Sequence, residues 1–395
     1  MANESAAELL RKAQVVGILE LVCQALELTA SQYDLAKSRY ESVGSWLAGS
    51  TNALLATATI YPQGSVALGT TVKPLARDEH DVDLICFVPG LNVNLPPAAL
   101  KYVMGQRLRE NAHYRDRLEE MARCWRLNYQ NDFHLDITPS IKNPNCPSDG
   151  ELVPDKKANQ WKPSNPRGYQ RWFQEFAQLQ PRMHLARAAL AEGVRAELQP
   201  FPEPARLKGI LRRAVQLVKR HRDIHFQKLD LDLRPISIIL TTLAAKSYAR
   251  CVAASEYESE LDVLNDVVRL MPMFIEERVV QGRKQWFVWN ETTAGENFAE
   301  KWNQEPRLAE AFFEWHARAS ADMSQLIGIV GLDRLTKNLR ESFGDTPVAK
   351  VMREVTDKVS HARRDGRLSV AASVGLSVGA GIATGVRANT FFGRV

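Results

Sequence analysis

Asp81-Val82-Asp83 sets two carboxylates one residue apart at the mouth of the apolar run Leu84-Ile85-Cys86-Phe87-Val88, and Asp136 stands inside the alternating segment Phe133-His134-Leu135-Asp136-Ile137. Residues two apart on a strand face the same way, so Asp81 and Asp83 project together while Val82 points to the core. Three carboxylates converging on one point repel unless a cation neutralises them. Mg²⁺ does so with a few carboxylates plus substrate phosphate oxygens. Upstream, Gln63-Gly64-Ser65 with Gly69-Thr70 forms a turn. There Gly64 lets the backbone come close, and the Ser65 hydroxyl with neighbouring N–H groups suits phosphate oxygens. The chemistry implied is that of a nucleoside triphosphate. Two metal ions would serve it, one activating an attacking hydroxyl and one steadying the triphosphate and the departing pyrophosphate, with Asp136 placed to take the hydroxyl proton. Taken singly, Asp81 and Asp83 read as solvated strand-entry acids and Asp136 as a turn residue before Pro139; in this order and context the three read as one site. His80 and His134 lack the partner spacing of a metal pair and read as local hydrogen-bonding residues.

Elements must hold these groups in place. Tyr33, Ala36, Tyr40, Val43 and Leu47 recur at three- and four-residue steps, which predicts a long helix up to Gly49 packed on the first lobe. Residues 57 to 61 and 83 to 88 read as strands around the Gly-Ser turn, residues 102 to 127 as a charged helical stretch, and residues 133 to 137 as a third strand ending at Pro139. Strands separated by helical stretches imply a mixed α/β lobe. After Pro166 the pattern is almost wholly helical, with candidates at 170–176, 207–221, 236–247, 261–271 and 298–320 and a small hairpin around Gln281-Gly282. The Ser/Ala/Gly/Val stretch beyond Arg364 reads as a mobile tail.

A chain of 395 residues with 45% hydrophobic and 25% charged residues supports two core-bearing lobes with a cleft between them. Its net charge of +5, set against 51 basic and 46 acidic residues, falls short of what a nucleic-acid-coating protein carries. Five widely spaced cysteines without a CxxC pair exclude a disulfide framework or a zinc site and fit a reducing cytosol. No uninterrupted apolar window reaches the roughly 18 residues of a membrane helix, so a cytoplasmic protein is expected.

In the helical half, Lys208, Arg212 and Lys219 fall within about 40° of one another on a helical wheel, opposite Leu207, Ile210, Leu211, Ala214 and Val218. This short basic stripe reads either as a cleft wall that receives phosphates or as the solvated face of an amphipathic helix. Ser237, after Pro235, suits an N-cap, and a helix start is also a phosphate site. Trp161 and Asn165 offer an aromatic plane and an amide that would stack on and read a base; core packing for the first and a turn for the second are the alternatives. Glu296 and Asn297 begin the 298 helix and read as its positioning residues.

Together, Gly64-Ser65, Asp81-x-Asp83 and Asp136-Ile137-x-Pro139 resemble the nucleotidyltransferase superfamily of DNA polymerase beta, archaeal CCA-adding enzymes and oligoadenylate synthetases. Trp161, Ser164-Asn165-Pro166, Trp172-Phe173, Lys219, Pro235-Ile236-Ser237, Asn290, Glu296-Asn297-Phe298 and Trp302 narrow the resemblance to the bacterial cGAS/DncV-like nucleotidyltransferases, the CD-NTases. The resemblance implies an α+β protein: a polymerase-beta-like lobe with a mixed sheet and helices over residues 1–200, a helical nucleotide-binding lobe over 201–365 with the active site in the cleft between, and a tail over 366–395. It implies an Mg²⁺-dependent synthase, with two ions and Mn²⁺ as a substitute, that joins ATP, GTP or other triphosphates into a cyclic di- or trinucleotide second messenger. In anti-phage (CBASS) signalling such a product acts on a separate effector. Asp81, Asp83 and Asp136 would hold the metal. Gln63, Gly64, Ser65, Lys219, Ser237 and Asn165 would hold nucleotide. Partners would be the triphosphates, the effector and a ubiquitin-transfer-like protein at the tail, with no membrane and no obligatory nucleic acid. A linear-product transferase and a catalytically silent nucleotide sensor are the rival functions.

Overall fold

The apolar run after Asp83 continues backward through the acids into one strand, β2 (His80–Val88), of a seven-stranded sheet. The structure is a computed structural model and describes residues 6–75, 80–129, 133–155, 159–184 and 208–365, with the short stretches 368–371, 375–378 and 384–385. β1 (Thr59–Pro62) lies antiparallel to β2, and β2 runs parallel to β5 (Phe133–Lys142). Beyond β5 come β4 (Trp125–Tyr129) and β3 (Leu118–Glu120), while β6 (Glu151–Pro154) and β7 (Trp161–Ser164) continue from the far end of β5. Period-two alternation sorts the side chains. Val82, Leu84, Cys86, Val88, Trp125, Leu127, Phe133, Leu135 and Ile137 share one buried core with Val43 and Leu47 of α2 (Ala30–Ala48) and Leu100, Met104 and Leu108 of α4 (Pro97–Glu110). Each such side chain contributes roughly 1.5–3 kcal/mol. The opposite face is left for the polar residues.

Three expectations for this lobe differ from the structure. Of the stretch 102–127 read as helical, residues from 118 onward form the hairpin β3–β4, which follows α4 and the single turn α5 (Ala112–Arg115). The cause is tertiary: Trp125, Leu127 and Tyr129 must alternate into the core beside β5. β5 also continues through Pro139 to Lys142, because Pro139 falls in the interval where β4 has ended and β6 has not begun. Third, residues 6–25 form a helix, α1 (Ala6–Ala25), for which the sequence analysis made no assignment.

α1 packs Val15, Ile18, Leu19 and Val22 into the second core, joined by Leu26 just past its end, by Tyr169 and Phe173 of α6 (Pro166–Ala177) and by Leu68 of α3 (Gly64–Leu68). The first 200 residues therefore contribute to both cores. Most of the rest of this second core comes from α7 (Gly209–Phe226), α8 (Ser237–Ala254), α9 (Glu260–Leu270), α10 (Arg307–Gly328), α11 (Leu332–Phe343) and α12 (Asp345–Arg364). The 298–320 helix begins only at Arg307, after a 3₁₀ turn at Glu300–Asn303, since Pro306 has no N–H to continue a helix through. The hairpin Glu276–Val280 with Arg283–Phe287 turns at Gln281 and Gly282, both with positive φ (51° and 74°), the geometry of a two-residue hairpin loop. By length and composition residues 231–254, and α1 with α2 as a bent pair, pass for membrane spans. Ile239, Leu240, Leu243, Ala244 and Tyr248 of that first stretch are nevertheless core residues. The expected tail lies largely outside the described residues; its described parts, Leu368–Ala371, Gly375–Val378 and Thr384–Gly385, pair as antiparallel strands.

Candidate active site

Strand pairing brings the acids together. Asp83 and Asp136 are register partners on β2 and β5, and Asp81 lies one pleat along the same face. Asp83 is half-buried, and burial, with the charges of Asp136 and then Asp81 beside it, pushes its pKa up to about 6. A shift of that size marks an anion short of counter-charge. Asp136 meets Arg126 of β4 instead: Nε and Nη2 each donate to a different carboxylate oxygen at 2.7 Å. Arg126 Nη2 also stands 3.8 Å from Asp81 Oδ1. The expected three-carboxylate convergence is thus present in the backbone but not in the side chains. Among the described residues no three acidic, histidine or cysteine side chains form a ready-made metal-holding group. The donor set of hard carboxylate oxygens, with Asp83 under-compensated, fits a divalent cation once Asp136 parts from Arg126.

The phosphate turn is built against Asp83. Gln63 N–H donates to the Asp83 carbonyl at 2.8 Å, and Gly64 follows with φ of +63°. A Cβ on Gly64 would stand 2.5 Å from Asp83 Oδ2, so glycine is demanded both by the backbone conformation and by the carboxylate pressed on it. Gly69, at φ +69°, ends α3 and lets the chain pass Arg212, and Ser65 fixes the turn through its carbonyl, which accepts from Thr70 N–H at 2.9 Å.

The wall opposite is α7, whose polar side chains reach the backbone leaving that turn. Arg212 Nε donates to Leu68 O, Gln216 Nε2 to Thr71 O, Lys219 Nζ to Thr70 O and Arg220 Nη1 to Lys73 O, all between 2.8 and 3.1 Å. Lys219 is buried; desolvation and then Arg222 lower its pKa to about 8, against the opposing charges of Asp223 and Asp83. Asp83 is therefore within electrostatic reach of Lys219. Ser237 opens α8 as its first helical residue rather than its cap, which is Ile236, and its Oγ accepts from Arg222 Nη1 at 3.0 Å. Lys208, expected beside them, pairs with Glu27 instead.

For two residues the structure favours the alternative reading. Asn165 is no base reader: it is 2% exposed, its Oδ1 caps α6 by accepting from Gly168 N–H, and its Nδ2 donates to the carbonyls of Ser148 and Thr292. Both polar atoms of the amide are engaged, and Nδ2 joins the two lobes. Trp161 likewise packs on the first core and donates from Nε1 to Leu95 O. Glu296 and Asn297 knit their loop: Asn290 donates to Glu296 Oε2 at 2.7 Å, while Asn297 Oδ1 accepts from Val288 and Ala299 N–H.

Sequence reasoning missed Arg126 and Arg123, because the segment carrying them was read as a helix. Arg123, in the β3–β4 turn, acts electrostatically on both Asp83 and Glu296. The signal was available in Trp125-Arg126-Leu127-Asn128-Tyr129, which alternates apolar and polar.

Comparison with known proteins places the chain. Residues 14–176 match the family model described as the Second Messenger Oligonucleotide or Dinucleotide Synthetase domain. A c-di-GMP synthase of Roseivirga ehrenbergii is 30% identical over 385 residues, covering 97% of this chain and 98% of the relative. The cyclic dinucleotide synthase CdnG of Bradyrhizobium diazoefficiens is 25% identical over 352 residues, 85% of this chain and 81% of that protein. The solved structure of Bradyrhizobium diazoefficiens CdnG in complex with GTP shares the fold, with a TM-score of 0.68 at 21% identity over 87% of this chain and 99% of that one.

Proposed function

Because the chain belongs to the bacterial CD-NTases, a family of nucleotidyltransferases, we propose that it joins two molecules of GTP into cyclic di-GMP in an Mg²⁺-dependent reaction that releases pyrophosphate. The observation that carries this reading is Asp83, an under-compensated half-buried carboxylate packed on the Gly64 turn and in register with Asp136. The names of the two curated relatives favour a dinucleotide, and the first favours guanine.

Asp81 and Asp83 would hold the metal with Asp136, which would then be placed to accept the proton of an attacking ribose hydroxyl. When bound, the divalent ions would supply charge to the triphosphate and acidify the attacking hydroxyl. Gln63 and Gly64 fix the turn, whose exposed edge with the Ser65 hydroxyl would receive phosphate oxygens. Lys219, held near Asp83 by Thr70, would face the same phosphates from α7, and Ser237 would line the helical side through Arg222. The product would be a second messenger for a separate effector in CBASS anti-phage defence, with the C-terminal tail as a handle for a regulatory partner.

Incubating the protein with all four nucleoside triphosphates and Mg²⁺, followed by phosphatase and mass spectrometry, should give phosphatase-resistant cyclic di-GMP. Asp81→Asn and Asp136→Asn should give none while remaining folded. A phosphatase-sensitive product would establish a linear transferase, and calorimetric GTP binding without turnover a silent sensor; either outcome overturns the reading.

A further inference from the structure

Arg126 occupies the position through which Asp136 would have to act. The two residues are direct cross-strand neighbours, and β4 cannot slide to separate them because Trp125 and Leu127 on either side of Arg126 are sunk in the core. The planar guanidinium meets the carboxylate fork to fork, engaging both oxygens at 2.7 Å, and Nη2 leans toward Asp81 at 3.8 Å. Such a pair is directional as well as charged. It takes lone pairs a divalent ion would use and sets a positive charge beside that ion's place, where repulsion in a half-enclosed site is substantial. Arg126 is itself partly exposed, at 24%, so its side chain has space to swing away without moving the strand.

We propose that Arg126 is a positioning residue that holds Asp136 in a resting pair, and that Asp136 becomes available to metal only when Arg126 exchanges it for the phosphate oxygens of an incoming triphosphate. Metal loading at Asp136 is thereby tied to nucleotide binding. This rests on the reading of Asp136 as a metal ligand.

The test is direct titration of Mn²⁺, followed by the electron paramagnetic resonance of the free ion, in nucleotide-free protein. Arg126→Gln should tighten Mn²⁺ binding on the order of threefold to tenfold, the range expected for loss of one partly exposed charged pair. Arg126→Lys, which keeps the charge but not the fork, should lie between it and the wild type. The gain should vanish in the double variant with Asp136→Asn. With a non-hydrolysable GTP analogue present, the wild type should approach Arg126→Gln. Unchanged or weaker Mn²⁺ binding in nucleotide-free Arg126→Gln, where Asp136→Asn weakens binding in the presence of the analogue, overturns the proposal. Should Arg126→Gln fail to fold, equal binding by Arg126→Lys and the wild type overturns it likewise. Mn²⁺ binding that stays indifferent to Asp136→Asn even with the GTP analogue present overturns instead the reading on which the proposal stands.

Discussion

At the residue scale the decisive quantity is the charge state of Asp83. Its pKa in the unfolded chain is near the ordinary 3.8, and in the fold burial with Asp136 and Asp81 raises it to about 6. A raised folded pKa means that the favourable contribution is fully present below about pH 4 and is lost as pH rises through about 6. In the metal-free protein at neutral pH the ionised carboxylate therefore costs on the order of 1–3 kcal/mol. Asp83→Asn, melted in EDTA, should be several degrees more stable than wild type at pH 7.5, with the advantage fading by pH 4. The same variant should lose synthase activity, so stability and function would move in opposite directions. The acids themselves were legible from type and spacing. Their electrostatic state was not, because it depends on which cations the sheet brings alongside, and Arg126 reaches Asp136 only through strand pairing.

At the element scale, the Gly-Ser turn and the β2 entrance work as one unit. The Gly64→Ala variant would place its methyl carbon 2.5 Å from Asp83 Oδ2 at a φ of +63°. The conformation alone costs about 1 kcal/mol. The displaced carboxylate should lower kcat on the order of a hundredfold, the scale of an ångström error in a reacting geometry. A small fall in melting temperature beside that loss would separate this from global unfolding. The helix α2 was readable because Ala36, Val43 and Leu47 keep a 3.6-residue period over a free-standing stretch, with Thr29 and Gln32 completing a capping box. The β3–β4 hairpin was not, since its charged residues suit a helix locally and only pairing with β5 overrides that. α1 carries an equally clear stripe at Val15, Ile18, Leu19 and Val22, and what the stripe lacks is any sign of its partner. Lys12 finds Asp262 and Glu20 finds Arg213 across some 200 residues of chain.

At the scale of the whole molecule, the lobes are joined by α7 against the backbone of residues 68–73 and by Asn165 between Ser148 and Thr292. Asn165→Ala removes a helix cap and leaves two carbonyls without that donor, so a loss of about 2 kcal/mol is expected by thermal melting. Turnover should fall with it, through lobe alignment, while Mn²⁺ binding at Asp81 and Asp83 is retained. The amino-acid sequence by itself determined the chemistry on offer: two acids sharing a strand face, a third on another strand, a glycine turn and a basic helix, because each is a short-range pattern of residue type and period. Only the tertiary structure decided how they are engaged, with Asp136 against Arg126, Lys219 against Thr70 and Asn165 turned inward as a tie. Those partners lie on other elements, and the contest between a bound cation, a salt bridge and a buried amide is settled by distance and burial, which no local pattern records.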